Sequence, residues 1–304
     1  MKIIIITGQT ATGKTSLAVK FARKFKGELV NCDSRQIYKY IDVITGKDKR
    51  LLKTRKIWLI DLIKPDQYFS SFDYKESALR VVKDILTRRK TPIIVGGTYL
   101  YLKHLLYGVE TENIPPDRLL RRKLANKKVE NLQEILRILD VPSLNRLSHS
   151  EINNPQRLIR KIEIIKFRAK RQHIEPPRFD IALQKPKNEN IIILPDYLRL
   201  NSINFKIIGL KFKNNDDLKK AIEQRVEKRL EQGAIEEVKN LLTIGFKSTD
   251  PGLKTIGYQQ LINFLEGRIS KEEAIKQWIT KEVQYAKRQY AFMKKDPHIS
   301  WREV

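Results

Sequence analysis

The feature that constrains this chain most is an octapeptide near its N-terminus, Gly8-Gln9-Thr10-Ala11-Thr12-Gly13-Lys14-Thr15. It matches the pattern G-x-x-x-x-G-K-[ST] at every fixed position. An apolar run, residues 2–7, precedes it, and residues 16–25 follow with the apolar spacing of a helix. In such a strand–turn–helix, backbone N–H groups and the positive end of the helix bind anions. The motif therefore predicts a di- or triphosphate ligand, with Lys14 on the terminal phosphate oxygens and the Thr15 hydroxyl on Mg²⁺.

Further apolar runs at residues 28–31, 57–61 and 93–95 alternate with helical segments, among them one from about Tyr74 to Arg89. This alternation favours a parallel α/β sheet, specifically a P-loop NTPase-like sheet flanked by helices. Because the carboxyl ends of parallel strands face one crevice, Asp33, which follows the second run, is a candidate general base or water-mediated Mg²⁺ ligand. The alternative is a helix N-cap.

Two other strand ends carry candidate residues. Residues 57–61 end in Asp61 and resemble a Walker B strand, although an aspartate that begins a turn is the slightly preferred interpretation. The fourth run ends in Gly96-Gly97-Thr98, where two glycines permit close backbone approach and Thr98 would face the crevice.

The net charge of the chain indicates which class of molecule it binds. The 304 residues contain 61 Lys and Arg against 35 Asp and Glu, a net charge of +26, which predicts a polyanion and nucleic acid first. A lysine-rich proteome is the alternative. Residues 117–171 lack a strand-like run and are predicted to be helical, and the span 113–178 holds sixteen Lys and Arg against seven acids, a net +9. We interpret this span as an inserted all-α subdomain that binds nucleic acid.

The insertion divides the chain into a first part of the catalytic core, 1–112, the basic insertion, 113–178, and a core completion, 179–304. The last part is predicted to hold strands at Ile191–Leu194 and Phe205–Phe212. Its predicted helices are Asp216–Ile244, interrupted near Gly233, then Thr255–Leu265 and Lys271–Lys295.

Several classes of protein are excluded or disfavoured. The single cysteine, Cys32, forms neither an internal disulfide nor a zinc site with Cys/His spacing, and the four histidines are scattered. The sequence lacks an apolar stretch of the roughly 20 residues that span a bilayer. We expect a cytoplasmic protein, a monomer, without membrane association.

Together these motifs resemble one family, the tRNA dimethylallyltransferases, also called tRNA isopentenyltransferases. The resemblance covers nearly the whole chain. Besides the phosphate loop, its motifs stand at residues 33–38 (DSRQIY), 59–74 (LIDLIKPDQYFSSFDY), 95–101 (VGGTYLY), 153–163 (NNPQRLIRKIE), 222–225 with 233–238, 256–261 (IGYQQL) and 284–289 (QYAKRQ).

The resemblance implies that the N6 amine of the adenine beside the anticodon, at tRNA position 37, attacks dimethylallyl diphosphate and releases diphosphate. It implies Asp33, Lys14, Thr98 and Arg225 as catalytic residues, with Asp33 as general base. It implies diphosphate contacts along Gly8–Thr15 and Mg²⁺ as cofactor, held at Thr15 and Asp33. It also implies that the adenine is flipped out of its stack.

The partner implied is the anticodon stem-loop of tRNA. Its contacts are expected in four groups of residues, which are Asp33, Ser34, Arg35, Gln36 and Thr98, then Arg121, Gln156, Arg157, Leu158, Ile159 and Arg160, then Thr255, Ile256, Gly257 and Tyr258, and finally Lys287, Arg288 and Gln289. For most surface Lys and Arg, solvation or loose phosphate contact is the simpler interpretation.

Three residues or pairs depart from the family pattern. Gln9 replaces a proline, Ile44 replaces a glycine, and Glu282-Val283 replace Thr-Arg, which removes one phosphate-contacting arginine. About twenty residues around Lys185–Leu200 exceed the pattern.

Other functions remain open from the sequence. They are a dimethylallyltransferase acting on free adenine nucleotide, a P-loop kinase, and a nucleic-acid-stimulated ATPase that uses Asp61 as its Walker B residue. A small-nucleotide enzyme has no need of a +9 insertion, which argues against the first.

Overall fold

A computed structural model describes residues 2–108, 114–172 and 203–304. Contacts divide the chain into two units, Met1–Gly108 with Ile192–Val304 and Val109–Ile191. The boundaries predicted at 112 and 178, the predicted strand Ile191–Leu194 and the extra residues around Lys185–Leu200 lie outside the described residues. Among the helices in the described ranges, none has both the length and the apolar character to cross a membrane.

The first unit is built on a six-stranded, all-parallel sheet with strand order β3-β2-β4-β1-β5-β6. Its strands are β1 Lys2–Gly8, β2 Gly27–Asn31, β3 Ile57–Trp58, β4 Thr91–Val95, β5 Asn204–Lys211 and β6 Ile299–Glu303. The four isoleucines of β1 are buried on both faces, as expected for the centre of a parallel sheet. The predicted α/β fold is confirmed.

Four helices connect the first strands: α1 Lys14–Lys24, α2 Lys49–Thr54, α3 Ser71–Thr87 and α4 Tyr99–Tyr107. The buried side chains of α1 pack on one face of the sheet with those of β1, β2 and β4. Helices α3 and α4 pack on the other face. A capping box between Ser70 and Asp73 starts α3 three residues earlier than predicted.

Three elements of the first unit differ from the sequence prediction. The strand predicted over 57–61 ends at Trp58, because Leu59 and Asp61 adopt positive φ angles of 60° and 55°, which an extended strand excludes. Helix α2 and strand β6 were not predicted. Strand β6 alternates buried and exposed side chains at the sheet edge, next to β5.

Over the described residues 114–172, the second unit forms the helices α5 Arg118–Leu124, α6 Val129–Leu139, α7 Val141–Asn145, α8 His149–Ile152 and α9 Pro155–Gln172. Leu132, Leu136, Leu158 and Ile162 are fully buried in its core. The helices predicted here from the absence of strand-like runs are therefore observed over the described residues 114–172.

A buried carboxylate ties α5 to α9. Glu163 accepts hydrogen bonds from Arg121 through Nε at 2.9 Å and Nη2 at 2.8 Å, and it also pairs with Arg160. The amide of Asp117 donates to the same carboxylate at 2.6 Å. Burial alone would raise the pKa of Glu163, but these donors lower it below its ordinary value. Arg121 and Arg160 therefore stabilise the fold of this unit.

The described residues 203–304 add four helices to the first unit: α10 Asn215–Glu231, α11 Ala234–Thr243, α12 Tyr258–Leu265 and α13 Lys271–Met293. They enclose a core that includes Ile222, Val238, Leu261 and the fully buried Trp278. Gly233, with φ of 90°, separates α10 from α11, so the interruption predicted near this glycine is confirmed.

Replacing Glu163 with Ala is expected to destabilise the helical unit by about 2 to 4 kcal/mol, because it leaves two partly buried arginines without their carboxylate. Glu134→Ala is the control, since Glu134 pairs with Arg137 on an exposed face and its loss costs at most about 1 kcal/mol. Urea unfolding followed by the helical circular dichroism signal measures the free energy of unfolding of both variants. Equal effects of the two substitutions would contradict this account of Glu163.

Candidate active site

Backbone conformation shapes the phosphate loop between β1 and α1. Gly8 ends β1 with φ of 126°, and a Cβ there would lie 2.0 Å from the carbonyl oxygen of Leu210 on β5. Gly13 precedes α1 with φ of 75°, and Ala11 also has a positive φ, 65°. Residues in such conformations cost energy and concentrate at ligand sites. The loop predicted from the motif is present between the predicted strand and helix.

Gln9, which stands where the family has proline, attaches the loop to the end of β5. Its amide donates to the Leu210 carbonyl at 3.0 Å, and its side-chain Oε1 accepts from the amide of Phe212 at 2.8 Å. Proline can make neither contact, because it lacks both the N–H and the side-chain amide. The departure from the family pattern is therefore compensated by a local contact of this chain.

Cations converge on the loop. Lys14 Nζ donates to the carbonyl oxygen of Gln9 at 2.5 Å, and Arg225 of α10 donates to the hydroxyl of Thr10. Burial, together with the smaller effect of the neighbouring Arg225, lowers the pKa of Lys14 to about 7, while the charge of Asp33 opposes this shift. A bound polyanion would relieve this repulsion, so the loop is electrostatically prepared for phosphate groups.

The turn after β2 holds Asp33 in place. Asn31 Oδ1 accepts from the Asp33 amide at 3.0 Å, and its Nδ2 donates to the Leu59 carbonyl at 2.9 Å. Asp33 Oδ1 accepts from the Arg35 amide at 2.9 Å. Residues 33–36 form turns rather than a helix, so the N-cap interpretation of Asp33 is wrong.

Thr98 joins this turn to the one after β4. Its hydroxyl accepts from the Ser34 amide at 2.9 Å and donates to the Ser34 hydroxyl at 3.2 Å. The two turns approach so closely that a Cβ on Gly96 would lie 2.1 Å from the Cys32 carbonyl oxygen. The close approach of the two strand ends therefore requires a glycine at position 96. Thr98 lies in the crevice next to Ser34.

Helix α13 contributes Gln289 and Tyr285. Gln289 Oε1 accepts from the amide of Thr10 at 2.9 Å, and its Nε2 donates to the Gly97 carbonyl at 3.0 Å. Burial raises the pKa of Tyr285 to about 12, and the charge of Asp33 adds to the shift. Sequence reasoning gave Gln289 only a tRNA contact and did not single out Tyr285. Both occur in the QYAKRQ motif, which was the available signal.

Asp61 is engaged in an ion pair. The side chain of Lys47 is fully buried, donates to Asp42 Oδ1 at 2.9 Å and pairs with Asp61. Asp61 also has a positive φ and lies beyond the end of β3. These contacts support the turn interpretation of Asp61 over the Walker B interpretation.

A second carboxylate fixes residues 42–44, which include Ile44, the residue that replaces a glycine of the family pattern. Glu237 of α11 accepts from the amides of Asp42 and Val43, both at 2.7 Å, and of Ile44 at 3.2 Å. The hydroxyl of Tyr258 donates to it at 2.5 Å. Ile44 itself is buried against Trp278 and Gly257. The sequence analysis singled out neither Glu237, although it lies in the motif at residues 233–238, nor Lys47.

The residues predicted to bind tRNA in the first unit differ in exposure. Lys287 and Arg288 are exposed on α13, and Arg35 is half-buried beside Asp33. Gln36 Nε2 donates to the Thr45 carbonyl at 3.2 Å. In the 255–258 group, Thr255 and Tyr258 are buried, whereas Ile256 is half-buried and Gly257 packs on Trp278.

The predicted tRNA residues of the helical unit also divide into two sets. Gln156 and Arg157 are exposed at the start of α9, whereas the side chains of Leu158 and Ile159 are buried in the unit's core. The latter two are therefore packing residues, because hydrophobic contacts with the other helices enclose them. Arg157 is 57% exposed, which makes it the arginine of this set most available to a partner.

The residues present fit a Mg²⁺ ion that is held mainly by a phosphate ligand. Thr15 is exposed in the first turn of α1, and one Asp33 oxygen has no hydrogen-bond partner in the described part of the chain. The described residues contain no cluster of three or more His, Cys, Asp or Glu that could hold a metal. Mg²⁺ commonly uses one or two protein oxygens, with phosphate and water completing its shell. Thr15 and Asp33 match this requirement.

Binding of inorganic diphosphate at pH 8 is expected to take up about one proton, because Lys14 is mostly neutral in the free loop and the anion favours its ammonium form. The uptake disappears below about pH 6, where Lys14 is already protonated. Calorimetry in two buffers of different ionisation enthalpy measures it. Lys14→Met is expected to abolish the uptake and Lys20→Met, on an exposed position of α1, to retain it. Identical heats in both buffers would contradict the prediction.

Comparisons with known proteins agree with this geometry. The IPP transferase family matches residues 36–296. The chain is 34% identical to the tRNA dimethylallyltransferase of Thermoanaerobacter sp. (strain X514) over 308 residues, which cover 99% of this chain and 91% of that protein. It is also 34% identical to the tRNA dimethylallyltransferase of Hydrogenobaculum sp. (strain Y04AAS1), over 99% of this chain and 94% of that protein.

Solved structures give the same result. The full-length tRNA isopentenylpyrophosphate transferase from Bacillus halodurans superposes with a TM-score of 0.67 at 27% identity, over 99% of this chain and 89% of that chain. A eukaryotic dimethylallyltransferase acting on tRNA superposes with a TM-score of 0.74 at 24% identity, over 99% of this chain and 73% of that chain, and shares its fold. The sequence match over most of its length shows that this chain belongs to the IPP transferase family.

Proposed function

We propose that this protein transfers a dimethylallyl group from dimethylallyl diphosphate to N6 of the adenine at tRNA position 37, beside the anticodon. The products are N6-(dimethylallyl)adenosine and diphosphate. The observation that carries the proposal is a phosphate loop and a carboxylate at one edge of the sheet, close enough for the charge of Asp33 to act on Lys14. Family membership supports the same reaction.

The donor's diphosphate would occupy the loop of residues 8–15. Charge grows on this group as the bond between the allylic carbon and its oxygen breaks, and fixed cations and amide dipoles stabilise growing charge most effectively away from water. Lys14 and Arg225 supply the cations, and the loop amides supply the dipoles. Mg²⁺ at Thr15 and Asp33 would supply further neutralisation of the leaving group.

The acceptor is a weak nucleophile, because the N6 lone pair is delocalised into the adenine ring. A carboxylate that takes one N6 proton as the new N–C bond forms removes this difficulty. Asp33 is suited to that role, since Asn31 and the Arg35 amide hold its turn and one carboxylate oxygen. Thr98 stands beside it, fixed by Ser34, where its hydroxyl can orient the adenine amine.

The helical unit distinguishes a tRNA substrate from a free nucleotide. Residues 113–178 carry a net charge of +9, and Arg157 is exposed at the start of α9. Such a basic surface favours the phosphates of an RNA stem. An ATPase that uses Asp61 as its Walker B residue is disfavoured because the buried Lys47 engages Asp61.

The direct experiment is to incubate the protein with dimethylallyl diphosphate, Mg²⁺ and an unmodified tRNA, digest the RNA and analyse its nucleosides by mass spectrometry. A mass gain corresponding to one dimethylallyl group on adenosine is expected. A tRNA with guanosine at position 37 is the matched control and should remain unmodified. Modification of free AMP at the same rate as tRNA would favour the nucleotide enzyme.

Asp33→Asn is expected to lower turnover by about 10²- to 10⁴-fold while leaving the affinities for tRNA and dimethylallyl diphosphate within a few-fold, because it removes a base and keeps the shape. Single-turnover rates and filter binding measure the two quantities. Asp66→Asn, at an exposed position, is the control. Turnover near that of the unsubstituted protein would remove Asp33 from the chemistry.

Arg157→Ala is expected to flatten the plot of log tRNA affinity against log salt by about one unit, if this arginine contacts one phosphate. Arg137→Ala is matched to it, since the two side chains are 57% and 58% exposed, and it should leave the slope unchanged. Arg160→Ala is a poor probe because Arg160 also binds the buried Glu163. An unchanged slope in the Arg157 variant would place the tRNA contact elsewhere.

A further inference from the structure

Two arginines of α10 converge on one glycine. Arg225 and Arg229 stand four residues apart and so share a helix face. A Cβ on Gly46 would lie 3.1 Å from Nη2 of Arg225 and 3.0 Å from Nη2 of Arg229. Gly46 has a φ of 70°, so both the conformation and the space there favour glycine. Two like charges are thus held close together beside the site.

A buried carboxylate compensates this charge. Nη1 of Arg229 lies 2.6 Å from Oε1 of Glu282 on α13, and the indole N–H of Trp278 donates to the same oxygen at 3.0 Å. The side chains of Arg229 and Glu282 are 4% and 9% exposed. Burial would raise the pKa of Glu282, yet Arg229 and Arg225 together lower it below its ordinary value. Glu282 therefore interacts electrostatically with both arginines.

Arg225 is the arginine that reaches the phosphate loop, through its contact with the Thr10 hydroxyl. Two negative groups can attract the guanidinium of Arg225: an anion bound in the loop and the carboxylate of Glu282. Arg229 pairs with Glu282 and thereby weakens the second attraction. A buried carboxylate that lost this partner would take the nearest other cation, because an unpaired buried charge is costly.

We propose that Arg229 is a positioning residue for donor binding, which neutralises Glu282 and so keeps Arg225 directed at the phosphate loop. Arg229 itself does not contact the donor. This inference rests on the proposed function only in taking the loop as the diphosphate site, and it assigns a role to Glu282, one of the residues at which the chain departs from the family pattern.

The test measures binding of inorganic diphosphate with Mg²⁺ by calorimetry, and the KM for dimethylallyl diphosphate. Arg229→Met is expected to weaken both by about tenfold or more, because Glu282 then captures Arg225. Arg229→Lys, which keeps the charge, is expected to stay within a few-fold of the unsubstituted protein. Lys228→Met is the matched control, since it removes one cation from an exposed position of the same helix.

A second substitution that restores diphosphate binding distinguishes a positioning role of Arg229 from a packing role. The double variant Arg229→Met with Glu282→Gln is expected to restore the diphosphate affinity to within a few-fold of the unsubstituted protein, because the competing carboxylate is gone. The small remaining loss reflects the change of a second buried side chain. Thermal unfolding of each variant establishes that it is folded. The KM for tRNA is expected to change little in all of them, since the perturbed group is the diphosphate ligand.

Two results would overturn the inference: unchanged diphosphate affinity in Arg229→Met, or a double variant as weak as Arg229→Met alone. Loss of affinity in a folded Arg229→Lys variant would also oppose it. These outcomes differ from a failure of the proposed function, in which the unsubstituted protein itself would neither bind diphosphate nor modify tRNA.

Discussion

The site depends on the close approach of backbones at the carboxyl edge of the sheet. At Gly8 the chain passes so near Leu210 that a side chain cannot be accommodated, and at Gly96 the same holds against Cys32. Glycine permits these approaches because it has no Cβ. They bring the ends of β1, β2, β4 and β5 together, and every residue of the proposed chemistry is attached to one of these ends or to a helix packed on them.

Crowded charge is the second consequence of this arrangement. Lys14 is held where burial lowers its pKa to about 7, and Arg225 lies next to it. A free protein with this arrangement holds cations in an unfavourable environment, which an anionic ligand relieves. Glu282, paired with Arg229, offsets part of the repulsion without facing the loop directly. The cations can therefore bind an anion, while the Glu282 carboxylate limits the net positive charge that is buried in the fold.

Much of this could be predicted from the sequence. The phosphate loop, the parallel sheet and the basic helical insertion each have a local signature, namely a fixed-position motif, short apolar runs and a change of composition. The pairings of Arg229 with Glu282 and of Gln289 with Thr10 join segments far apart in the chain, so only the folded arrangement reveals them. Spacing alone could not distinguish Asp33 as a turn residue from a helix cap.

Other features that the sequence did not predict have a similar cause. The tRNA contact of Arg160 stays a prediction, but its pairing with the buried Glu163, three residues later on α9, could not be read from the motif. The strand predicted over 57–61 ends early because Leu59 and Asp61 adopt positive φ, where Asp61 also pairs with the distant Lys47, and neither feature is visible in the apolar run. Tertiary contacts override local patterns where ionic groups are buried.

The central claim is that the donor's diphosphate occupies residues 8–15 with its allylic carbon turned towards Asp33. The most direct measurement is a crystal structure of the protein with Mg²⁺ and a donor analogue in which sulfur replaces the oxygen between carbon and phosphorus. The account predicts phosphate oxygens on the loop amides, Lys14 and Arg225, with the prenyl chain in the crevice beside Asp33 and Thr98. A diphosphate bound away from the loop, or a prenyl chain directed away from Asp33, would contradict it.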